Sequence, residues 1–554
     1  MTKDIDVLIL GAGINGAGLF RDLCEQGLTC LIADKADFGS GTSAAPSRLI
    51  HGGIKYLETG ELRLVAQSTL ERNLLLRNAP HLVEPLPTVI PIFSWLQGIP
   101  AALRTLFGST TAPRNRGAVL IKIGLALYDF YGSRHRVMPR HALWSRRRTL
   151  SEIAPMTPKI VAAGTFYDAK VTCPERLVLE LLQDGTAANP ASEALNYTNL
   201  ISAENDLIGL RTPDGGERTV RPRIVVNAAG PWIDHVNQAL GSPTRLIGGT
   251  KGSHILLDHP ELIAALKGRM IYFEANDGRI CLVYDYLGRA LVGSTDIRSD
   301  DPDTVCCDDE EIDYFLKSLR DLLPGLAFSR DQIVYAYSGI RPLPASGSTA
   351  AGLISRDHSA PVLEPADDRP YPVISLVGGK WTTFRGFAEE VCDLVLGRLG
   401  HNRRLNTRAL PIGGGRDYPT EPAARANWIE HTAKATGASA MRTTELLGRY
   451  GTTARAILAH EGPQAQRLTD TNSYSLSEID WIARYEKVVE LEDIVMRRST
   501  LAITGRLSER DLAAIADIAA EALGWSAERR NVQFAKTRDL LAARHRIQWE
   551  KSHP

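Results

Sequence analysis

The sequence predicts an α/β fold in three parts: a Rossmann-like nucleotide-binding domain, a second domain built on an antiparallel sheet, and a C-terminal α-helical domain. Three observations predict it. A glycine-rich turn joins an apolar strand to a helix within residues 5–26. Two strand-like runs flank a turn at Leu287 and Gly288. After residue 401, apolar residues recur at helical spacing, as in "SERDLAAIADIAAEALGW".

The length of the chain indicates several domains, because 554 residues exceed what one hydrophobic core normally holds. The predicted boundaries are 1–79, 149–241 and 335–400 for a discontinuous nucleotide-binding domain, 80–148 and 242–334 for the antiparallel domain, and 401–554 for the helical domain. The stretch "LPIGGGRDYP", residues 410–419, is typical of a linker.

The N-terminal segment carries the pattern of a dinucleotide-binding unit. Gly11, Gly13 and Gly16 form GxGxxG between strand and helix. The first glycine allows a tight turn, the second lets the backbone approach a pyrophosphate, and the third lets the helix pack on the strand. Asp34 closes the next strand, where its carboxylate can accept a bond from a ribose hydroxyl. A glycine-rich turn without a ligand is the alternative, and this motif alone does not separate NAD from FAD.

Three later segments favour FAD over NAD. "FGSGTS" follows Asp34, and "RIVVNAAGPW" and "PVISLVGGKWTTF" each end an apolar strand in small residues. Three strand ends that converge on one long cofactor exceed what NAD requires, although each alone is also typical of a core strand and its turn. The predicted cofactor contacts in these segments are Thr42, Ser43, Ala229, Gly230, Gly378, Gly379, Thr382 and Thr383.

The composition is that of a soluble globular protein, with 44% hydrophobic and 23% charged residues. Lys+Arg and Asp+Glu both number 64, so net charge indicates no partner. The 7 cysteines are scattered without CxxC spacing, so we expect no metal site, no disulfide framework and a reducing compartment. The N-terminus does not read as a signal peptide and no apolar run reaches membrane-span length, so we expect a cytoplasmic location.

Eight motifs occur in order along the chain: "GAGINGAG", "SRLIHGGIKYLE", "NAAGPWID", "KGSH", "GSTDI", "YSGIRPL", "SRDH" and "GGKWTT". In this order they resemble the respiratory FAD-dependent glycerol-3-phosphate dehydrogenases, and "YEKVVELEDIVMRRSTLA" (residues 485–502) is similar to that family's C-terminal domain. The resemblance implies a two-domain flavoprotein fold like that of D-amino-acid oxidase, followed by a helical domain. It also implies oxidation of sn-glycerol 3-phosphate to dihydroxyacetone phosphate, with a quinone as the electron acceptor.

The chain departs from the family pattern in three places. Residues 44–46 read Ala-Ala-Pro where the family usually has a longer serine-rich run. Lys55 stands where arginine is more frequent, and "CPERL" at residues 173–177 replaces Asp-Ala-Arg-Leu. These departures leave the FAD prediction intact. They keep open another polyol phosphate, such as erythritol phosphate, as the substrate.

In this setting, residues 47–58 ("SRLIHGGIKYLE") are expected to pass close to the flavin ring. His51 is expected to support the flavin or to handle a substrate proton, with a purely structural histidine as the alternative. Lys55 and Tyr56 are expected to reach a phosphate or a hydroxyl. Glycines let the backbone approach a flat ring without a Cβ clash. The predicted cofactor contacts in this stretch are Ser47, Gly52 and Gly53.

The implied reaction needs a base near the alcohol oxygen and a cation at the phosphate. The resemblance places His254 of "KGSH" at the substrate pocket, and we rank it level with His51 as the base; a core histidine is the alternative. Arg341 of "YSGIRPL" and Arg356 of "ISRDH" are the candidate phosphate anchors, with Lys380 nearby. A surface salt bridge is the alternative for each. Arg341 or Lys380 could also stabilise a forming alkoxide electrostatically.

Residues 91–148 combine apolar and basic side chains. Phe93 and Trp95 lie before a run of ten cations from Arg104 to Arg148, in which Asp129 is the only acid. Apolar residues beside cations suit an anionic membrane surface, so we expect peripheral attachment to the inner face of the cytoplasmic membrane. A solvated basic face is an equal alternative, and a flavoprotein that acts on RNA is a less favoured one. We expect no nucleic-acid partner, and a homodimer is compatible with the sequence.

Overall fold

The computed structural model describes residues 2–57, 61–96, 117–132, 138–299, 301–345 and 357–549. Its strands are β1 (Thr2–Leu10), β2 (Cys30–Ala33), β3 (Leu49–Ile50), β4 (Val83–Ile92), β5 (Ala142–Ser145), β6 (Ala162–Val171), β7 (Glu193–Leu195), β8 (Asn199–Glu204), β9 (Leu207–Arg211), β10 (Glu217–Asn227), β11 (Ile247–Leu257), β12 (Met270–Glu274), β13 (Ile280–Tyr286), β14 (Arg289–Gly293), β15 (Ile297–Arg298), β16 (Ile333–Pro344), β17 (His358–Ser359), β18 (Val362–Leu363), β19 (Val373–Ser375) and β20 (Val377–Gly378).

The helices of the described residues alternate with these strands and then form the C-terminal region. They are α1 (Ile14–Glu25), α2 (Leu62–Asn78), α3 (Ala118–Tyr131), α4 (Arg146–Glu152), α5 (Pro174–Ala188), α6 (Ile233–Ala239), α7 (Pro260–Leu266), α8 (Asp309–Leu322), α9 (Phe384–Leu399), α10 (Pro422–Thr436), α11 (Ala440–Tyr450), α12 (Ala454–Glu461), α13 (Leu476–Tyr485), α14 (Glu509–Leu523) and α15 (Ala527–His545).

The first sheet is built around β1. This strand lies between β10 and β2 and runs parallel to both, and β19 and β7 extend the parallel core on either side. The apolar strands are buried because α1, α5 and α9 pack over them. Parallel neighbours bring the carboxyl ends of β19, β10, β1 and β2 to one edge. The predicted convergence of strand ends is therefore confirmed.

The second sheet has the order β15-β11-β14-β13-β12-β4-β6-β3, with β16 beside β11 and β5 beside β6. Its strands pair antiparallel, apart from the parallel pair β12 and β4. The predicted hairpin is confirmed as β13 and β14. Its turn residues Leu287 and Gly288 have φ of 55° and 78°, the left-handed conformation that a tight two-residue hairpin uses.

The C-terminal helices pack directly on the second sheet. Apolar residues of α13, α14 and α15 share one buried cluster with Tyr284, Tyr286, Tyr335 and Tyr337 of the sheet. The stretch predicted as a linker is itself packed, since Gly414 and Gly415 are buried. A Cβ on Gly414 would overlap the carbonyl oxygen of Tyr450. This segment therefore needs its glycines for close backbone contact rather than for flexibility.

Sheet membership differs from the predicted domain boundaries in two places. β6 falls in a range assigned to the nucleotide-binding domain, yet it pairs with β4 along its whole length in the second sheet. β16 falls in another such range and pairs with β11. Both strands are largely buried, and burial by itself does not reveal which sheet a strand joins. The exact domain boundaries stay predictions.

Candidate active site

A large cavity of about 1050 Å³ is lined by residues of both sheets. This volume lies just above the roughly 300–1,000 Å³ that ligand pockets occupy. Most of the predicted site residues line it: Gly11, Gly13, Asp34, Thr42, Ser43, Ser47, His51, Gly53, Tyr56, Ala229, Gly230, His254, Arg341, Gly378, Gly379, Lys380 and Thr382.

Three described site residues, Gly16, Gly52 and Thr383, are not among the residues that line the cavity. Gly16 lies inside α1, where a Cβ would overlap the Gly11 carbonyl oxygen, so it serves helix packing as predicted. Gly52 is buried, and a Cβ there would overlap the Tyr128 hydroxyl. The absence of a side chain thus makes room for Tyr128 of α3, and the predicted contact of Gly52 with the flavin stays a prediction. Thr383 is buried at the start of α9 outside the cavity lining.

Arg356 lies outside the described residues, and so does the side chain of Lys55. These two predicted substrate contacts stay predictions. Among the predicted cationic substrate contacts, the structure describes Arg341 and Lys380, and both line the cavity.

The nucleotide end of the cavity contains the N-terminus of α1 and the end of β2. The Ile14 N–H donates to Ser43 Oγ at 2.9 Å, and Asn15 presents a buried Oδ1 that has no partner among the described residues. Gly13 faces the cavity, and a Cβ there would meet only Ser43 Oγ, at 3.1 Å. This end therefore combines the positive pole of a helix with uncovered backbone, which suits a phosphate.

Asp34 is the acidic group of this end. Its carboxylate accepts the Ala12 N–H at 2.7 Å and the Ala36 N–H at 2.9 Å. Burial raises the pKa of Asp34 to about 6, outweighing both backbone bonds. Each carboxylate oxygen keeps a lone pair that can accept a further hydroxyl. The volume of the cavity, the helix terminus and this acid together fit FAD, with its nucleotide half here.

His254, on β11, is the best-defined candidate base at the other end. Its Nε2 lies 2.8 Å from Ser47 Oγ, and its ring stacks on Tyr337 with centroids 4.9 Å apart. Its Nδ1 is buried and has no partner among the described residues. Burial, reinforced by Arg341 and Arg48, lowers the pKa of His254 well below its usual value. The imidazole is therefore neutral at physiological pH and able to accept a proton.

Arg341, on β16, is fixed against the cavity wall by the 294–296 loop. Its guanidinium donates to Asp296 Oδ1 at 3.1 Å, to Ser294 Oγ at 3.2 Å and to the Thr295 carbonyl at 3.0 Å. These acceptors hold the planar group in one orientation and engage both of its terminal nitrogens, with Asp296 as the ion-pair partner.

Two glycines that the sequence analysis did not single out make room for the side chains of His254 and Arg341. A Cβ on Gly252 would overlap the Arg341 guanidinium, and a Cβ on Gly293 would overlap the His254 ring. Gly252 lies in the motif "KGSH" and Gly293 in the motif "GSTDI". Their position in those motifs was the available signal, but the side chains that they accommodate lie on other strands.

Lys380, Tyr56 and His51 meet on the side of the cavity formed by residues 51–56. The Lys380 ammonium lies 3.6 Å from the centre of the Tyr56 ring and 3.1 Å from Ser68 Oγ. The His51 and Tyr56 rings are nearly parallel, with centroids 6.4 Å apart. The His51 N–H donates to Thr382 Oγ1 at 3.2 Å, which ties this stretch to the end of "GGKWTT".

A buried polar cluster behind Gly52 was missed. The Gly52 N–H donates to the Tyr128 hydroxyl at 2.9 Å and to Asp168 Oδ1 at 3.1 Å. Arg72 donates to the same two oxygens at 2.7 and 2.8 Å. Burial raises the pKa of Asp168, although Arg72 opposes the shift. Asp168 also lines the cavity. The cluster thus fixes the glycine pair from behind.

The "CPERL" departure lies away from the cavity. Glu175 forms a buried ion pair with Arg48 at 2.8 Å, and none of the described residues 173–177 lines the cavity. The Tyr286 hydroxyl also accepts from Arg48 at 3.1 Å. This departure therefore concerns the core next to Ser47 and gives no reason to expect a different substrate.

Comparisons with known proteins agree with this geometry. A family described as "FAD dependent oxidoreductase" matches residues 6–394, and one described as "C-terminal domain of alpha-glycerophosphate oxidase" matches residues 405–530. The glycerol-3-phosphate dehydrogenase of Synechocystis sp. is 33% identical, covering 97% of this chain and 96% of its own. The D-erythritol 1-phosphate dehydrogenase of Brucella abortus is 32% identical, covering 69% of this chain and 72% of its own.

Among solved structures, the fold matches the glycerol-3-phosphate dehydrogenase from Bacillus halodurans, determined in complex with FAD. The TM-score is 0.74 at 22% identity, covering 97% of this chain and 95% of the other. The first family match spans more than half of the chain, and the Synechocystis relative is similar over almost all of it. The chain therefore belongs to the FAD-dependent oxidoreductases, in the family of the glycerol-3-phosphate dehydrogenases, and FAD is its cofactor.

Proposed function

We propose that this protein oxidises sn-glycerol 3-phosphate to dihydroxyacetone phosphate. The observation that supports this most is the convergence of Arg341, Lys380 and the neutral His254 on one cavity. A phosphorylated secondary alcohol needs this combination, because its phosphate requires cations and its hydroxyl requires an unprotonated acceptor. Bound FAD supplies the acceptor for the hydride that leaves the carbon.

In the proposed mechanism, His254 takes the hydroxyl proton. Its Nε2 lies 2.8 Å from Ser47 Oγ, and both residues line the cavity. Arg341 and Lys380 attract the phosphate by their charge, and Tyr56 positions a remaining oxygen. Phe166 and Leu282 add apolar surface to the same cavity. His51 is the second candidate base.

The direct test is anaerobic mixing of the holoprotein with substrate while the flavin absorbance is followed. We expect rapid bleaching with sn-glycerol 3-phosphate and little with glycerol, which lacks the phosphate. D-Erythritol 1-phosphate is the second candidate because a relative named for it is 32% identical. Faster bleaching with D-erythritol 1-phosphate than with sn-glycerol 3-phosphate would reverse the order of the two proposals.

Replacement of Arg341 by alanine is expected to lower kcat/KM for sn-glycerol 3-phosphate by about ten- to over a hundredfold, since a charge-assisted hydrogen bond contributes about 1.5–3 kcal/mol. Arg341→Lys should recover part of the loss, because it restores charge but not the fork. Steady-state kinetics with a soluble dye acceptor measures both. An unchanged kcat/KM for Arg341→Ala would remove this residue from the phosphate site.

Binding of FAD is expected to strengthen with rising pH. The Asp34 carboxylate accepts the ribose hydroxyl best when ionised, and in the cofactor-free protein it is largely protonated below about pH 6. The dissociation constant should therefore fall about tenfold from pH 5 to pH 7. Because folding raises this pKa, Asp34 stabilises the cofactor-free fold less as pH rises through 6. Titration of apoprotein with FAD measures the effect, and Asp34→Ala should flatten it.

We further propose that the electrons pass to a quinone at a membrane surface. The outer face of α3 exposes Ile123, Leu127 and Phe130, at 54%, 41% and 71%. Trp95 is 54% exposed, and its carbonyl accepts the Val119 N–H at the start of α3. Lys122 of the same helix is exposed, and so are Arg146–Arg148. Exposed apolar residues together with exposed cations suit the surface of anionic lipid. Within the described ranges, no helix has the length and apolar character that crossing a bilayer requires.

The double variant Ile123→Ser with Phe130→Ser is expected to lose most of its binding to anionic vesicles in a sedimentation assay. Turnover with a soluble dye should stay at the wild-type level, whereas turnover with a lipid-embedded quinone should fall. Val532→Ser is the matched control, because Val532 is 58% exposed on α15. Equal vesicle binding by both variants would indicate that the α3 face is an ordinary solvated surface.

A further inference from the structure

The loop after β2 forms one wall of the nucleotide end and is held from behind. Asp34, Lys35, Ala36 and residues 39–43 line the cavity, whereas Asp37 in the same loop is fully buried outside the lining. Asp37 Oδ2 accepts from Arg497 Nε at 2.6 Å and from Arg498 Nη1 at 2.7 Å. Its Oδ1 accepts from Arg498 Nη2 at 2.8 Å. Two arginines of the C-terminal domain therefore hold this loop.

These arginines end a π-helical turn, Asp493–Arg498, in the motif that sequence analysis linked to the C-terminal domain. Such turns occur mostly as single turns and frequently at functional sites. Arg497 also donates to Asp493 Oδ1 at 2.5 Å, and Arg498 donates to the Glu486 carbonyl at 2.9 Å. Arg498 is the largest fully buried side chain described. Neither arginine lines the cavity, so neither is part of the proposed reaction.

A second cavity loop is joined to the same cluster. Asn196 Nδ2 donates to Asp37 Oδ1 at 2.9 Å and to the Lys487 carbonyl at 2.8 Å. The Tyr197 hydroxyl donates to Asp493 Oδ1 at 2.6 Å, and the Thr198 N–H donates to the Asp34 carbonyl at 2.7 Å. Residues 198–200 then line the cavity. Both loops at the nucleotide end thus depend on contacts with residues 487–498.

The buried charges of Asp37, Arg497 and Arg498 compensate one another, and each depends on the others being present. Burial alone would raise the pKa of Asp37, but Arg498 and Arg497 hold it well below its usual value. Removal of one member of such a group leaves an uncompensated buried charge, which is strongly destabilising. The loops would then have to move so that water can reach that charge.

We propose that Arg497 and Arg498 are positioning residues for the cofactor, through which the C-terminal domain holds the two loops in the shape that binds the nucleotide half of FAD. The proposal rests on the placement of that half beside Asp34. Retention of FAD is then a property of the whole chain and not of the N-terminal domain alone.

The test compares Arg497→Met and Arg498→Met in the full-length protein with Arg289→Met as the matched control. Arg289 of the second sheet is likewise a buried arginine at a contact with the C-terminal domain, because it donates to the Thr504 carbonyl at 2.8 Å. It does not contact either loop. The dissociation constant and the release rate of FAD are measured by flavin fluorescence. Thermal unfolding of each apoprotein is measured in parallel.

We expect the two arginine variants to bind FAD at least tenfold more weakly than the wild type and to release it faster. At saturating FAD, their KM for the substrate should equal the wild-type value. Arg289→Met should lower the unfolding temperature while its FAD affinity stays within twofold of wild type. If Arg498→Met does not fold, Asp37→Asn, which removes the charge but keeps most of the shape, replaces it. Wild-type FAD affinity in the arginine variants, or an equal loss in Arg289→Met, would overturn the proposal. Absence of activity on sn-glycerol 3-phosphate in wild type would instead refute the proposed function and leave this result standing.

Discussion

Replacement of Gly13 by valine is expected to give a folded protein without flavin. A Cβ at Gly13 meets only Ser43 Oγ, at 3.1 Å, so the fold can accept it with a small shift of that hydroxyl. The side chain would fill the space in front of the α1 N-terminus, where the pyrophosphate is expected to lie. The ratio of flavin to protein absorbance after purification should fall to near zero, while the circular dichroism spectrum stays that of the wild type.

The control for this prediction is Gly397→Val, in α9. A Cβ at Gly397 meets no atom within 4 Å, so the variant bears the same change of side chain far from the cavity. It should purify with its full complement of flavin. Full flavin content in Gly13→Val would show that the pyrophosphate does not pass this turn.

Replacement of His254 by glutamine is expected to lower kcat by about 10²–10⁴, which is the usual contribution of a positioned general base. FAD content should not change, because His254 lies at the other end of the cavity from Asp34. The wild-type kcat/KM should show no loss of activity from this group as pH falls through 6.5, since its pKa is well below that value. Activity that depends on His254 should decline only at lower pH, where the ring becomes protonated.

The matched variant is His259→Gln. His259 is also buried, but it caps α7 by accepting the Leu262 N–H and does not line the cavity. We expect a lower unfolding temperature and wild-type kcat. A comparable fall in kcat for both variants would mean that the effect of His254→Gln is structural and that His51 is the better candidate base.

Local sequence predicted the nucleotide end well, because its determinants are close together in the chain. Each determinant is a local motif of no more than about 30 residues. The first combines the spacing of Gly11, Gly13 and Gly16 with the acid at Asp34. The others are the small residues that directly follow β10 and β19. Parallel strand pairing then brings these motifs to one edge of the sheet. The hairpin of β13 and β14 and the helix α14 were equally accessible, since period and turn chemistry are local signals.

The residues that were missed depend on pairs distant in sequence. Asp168 meets Gly52, and Glu175 meets Arg48, across more than a hundred residues. Gly252 is required by Arg341, which lies on a neighbouring strand. No local pattern records such a partner, and the same holds for the placement of β6 and β16 in the second sheet. Gly52 illustrates this, because its contact with Tyr128, 76 residues away, is not visible in the local sequence.

The pairing of Asp37 with Arg498 also determines how early in translation the nucleotide loop can reach its final position. The two residues are 461 positions apart, and a ribosome adds roughly 5–20 residues per second. Asp37 therefore leaves the ribosome on the order of half a minute to a minute and a half before its partner is made. During that interval its carboxylate must remain hydrated, and the loop that carries it cannot take its final position. Translation must be almost complete before Arg497 and Arg498 can fix the nucleotide loop, so a truncated nascent chain is expected to bind flavin more weakly than the complete chain.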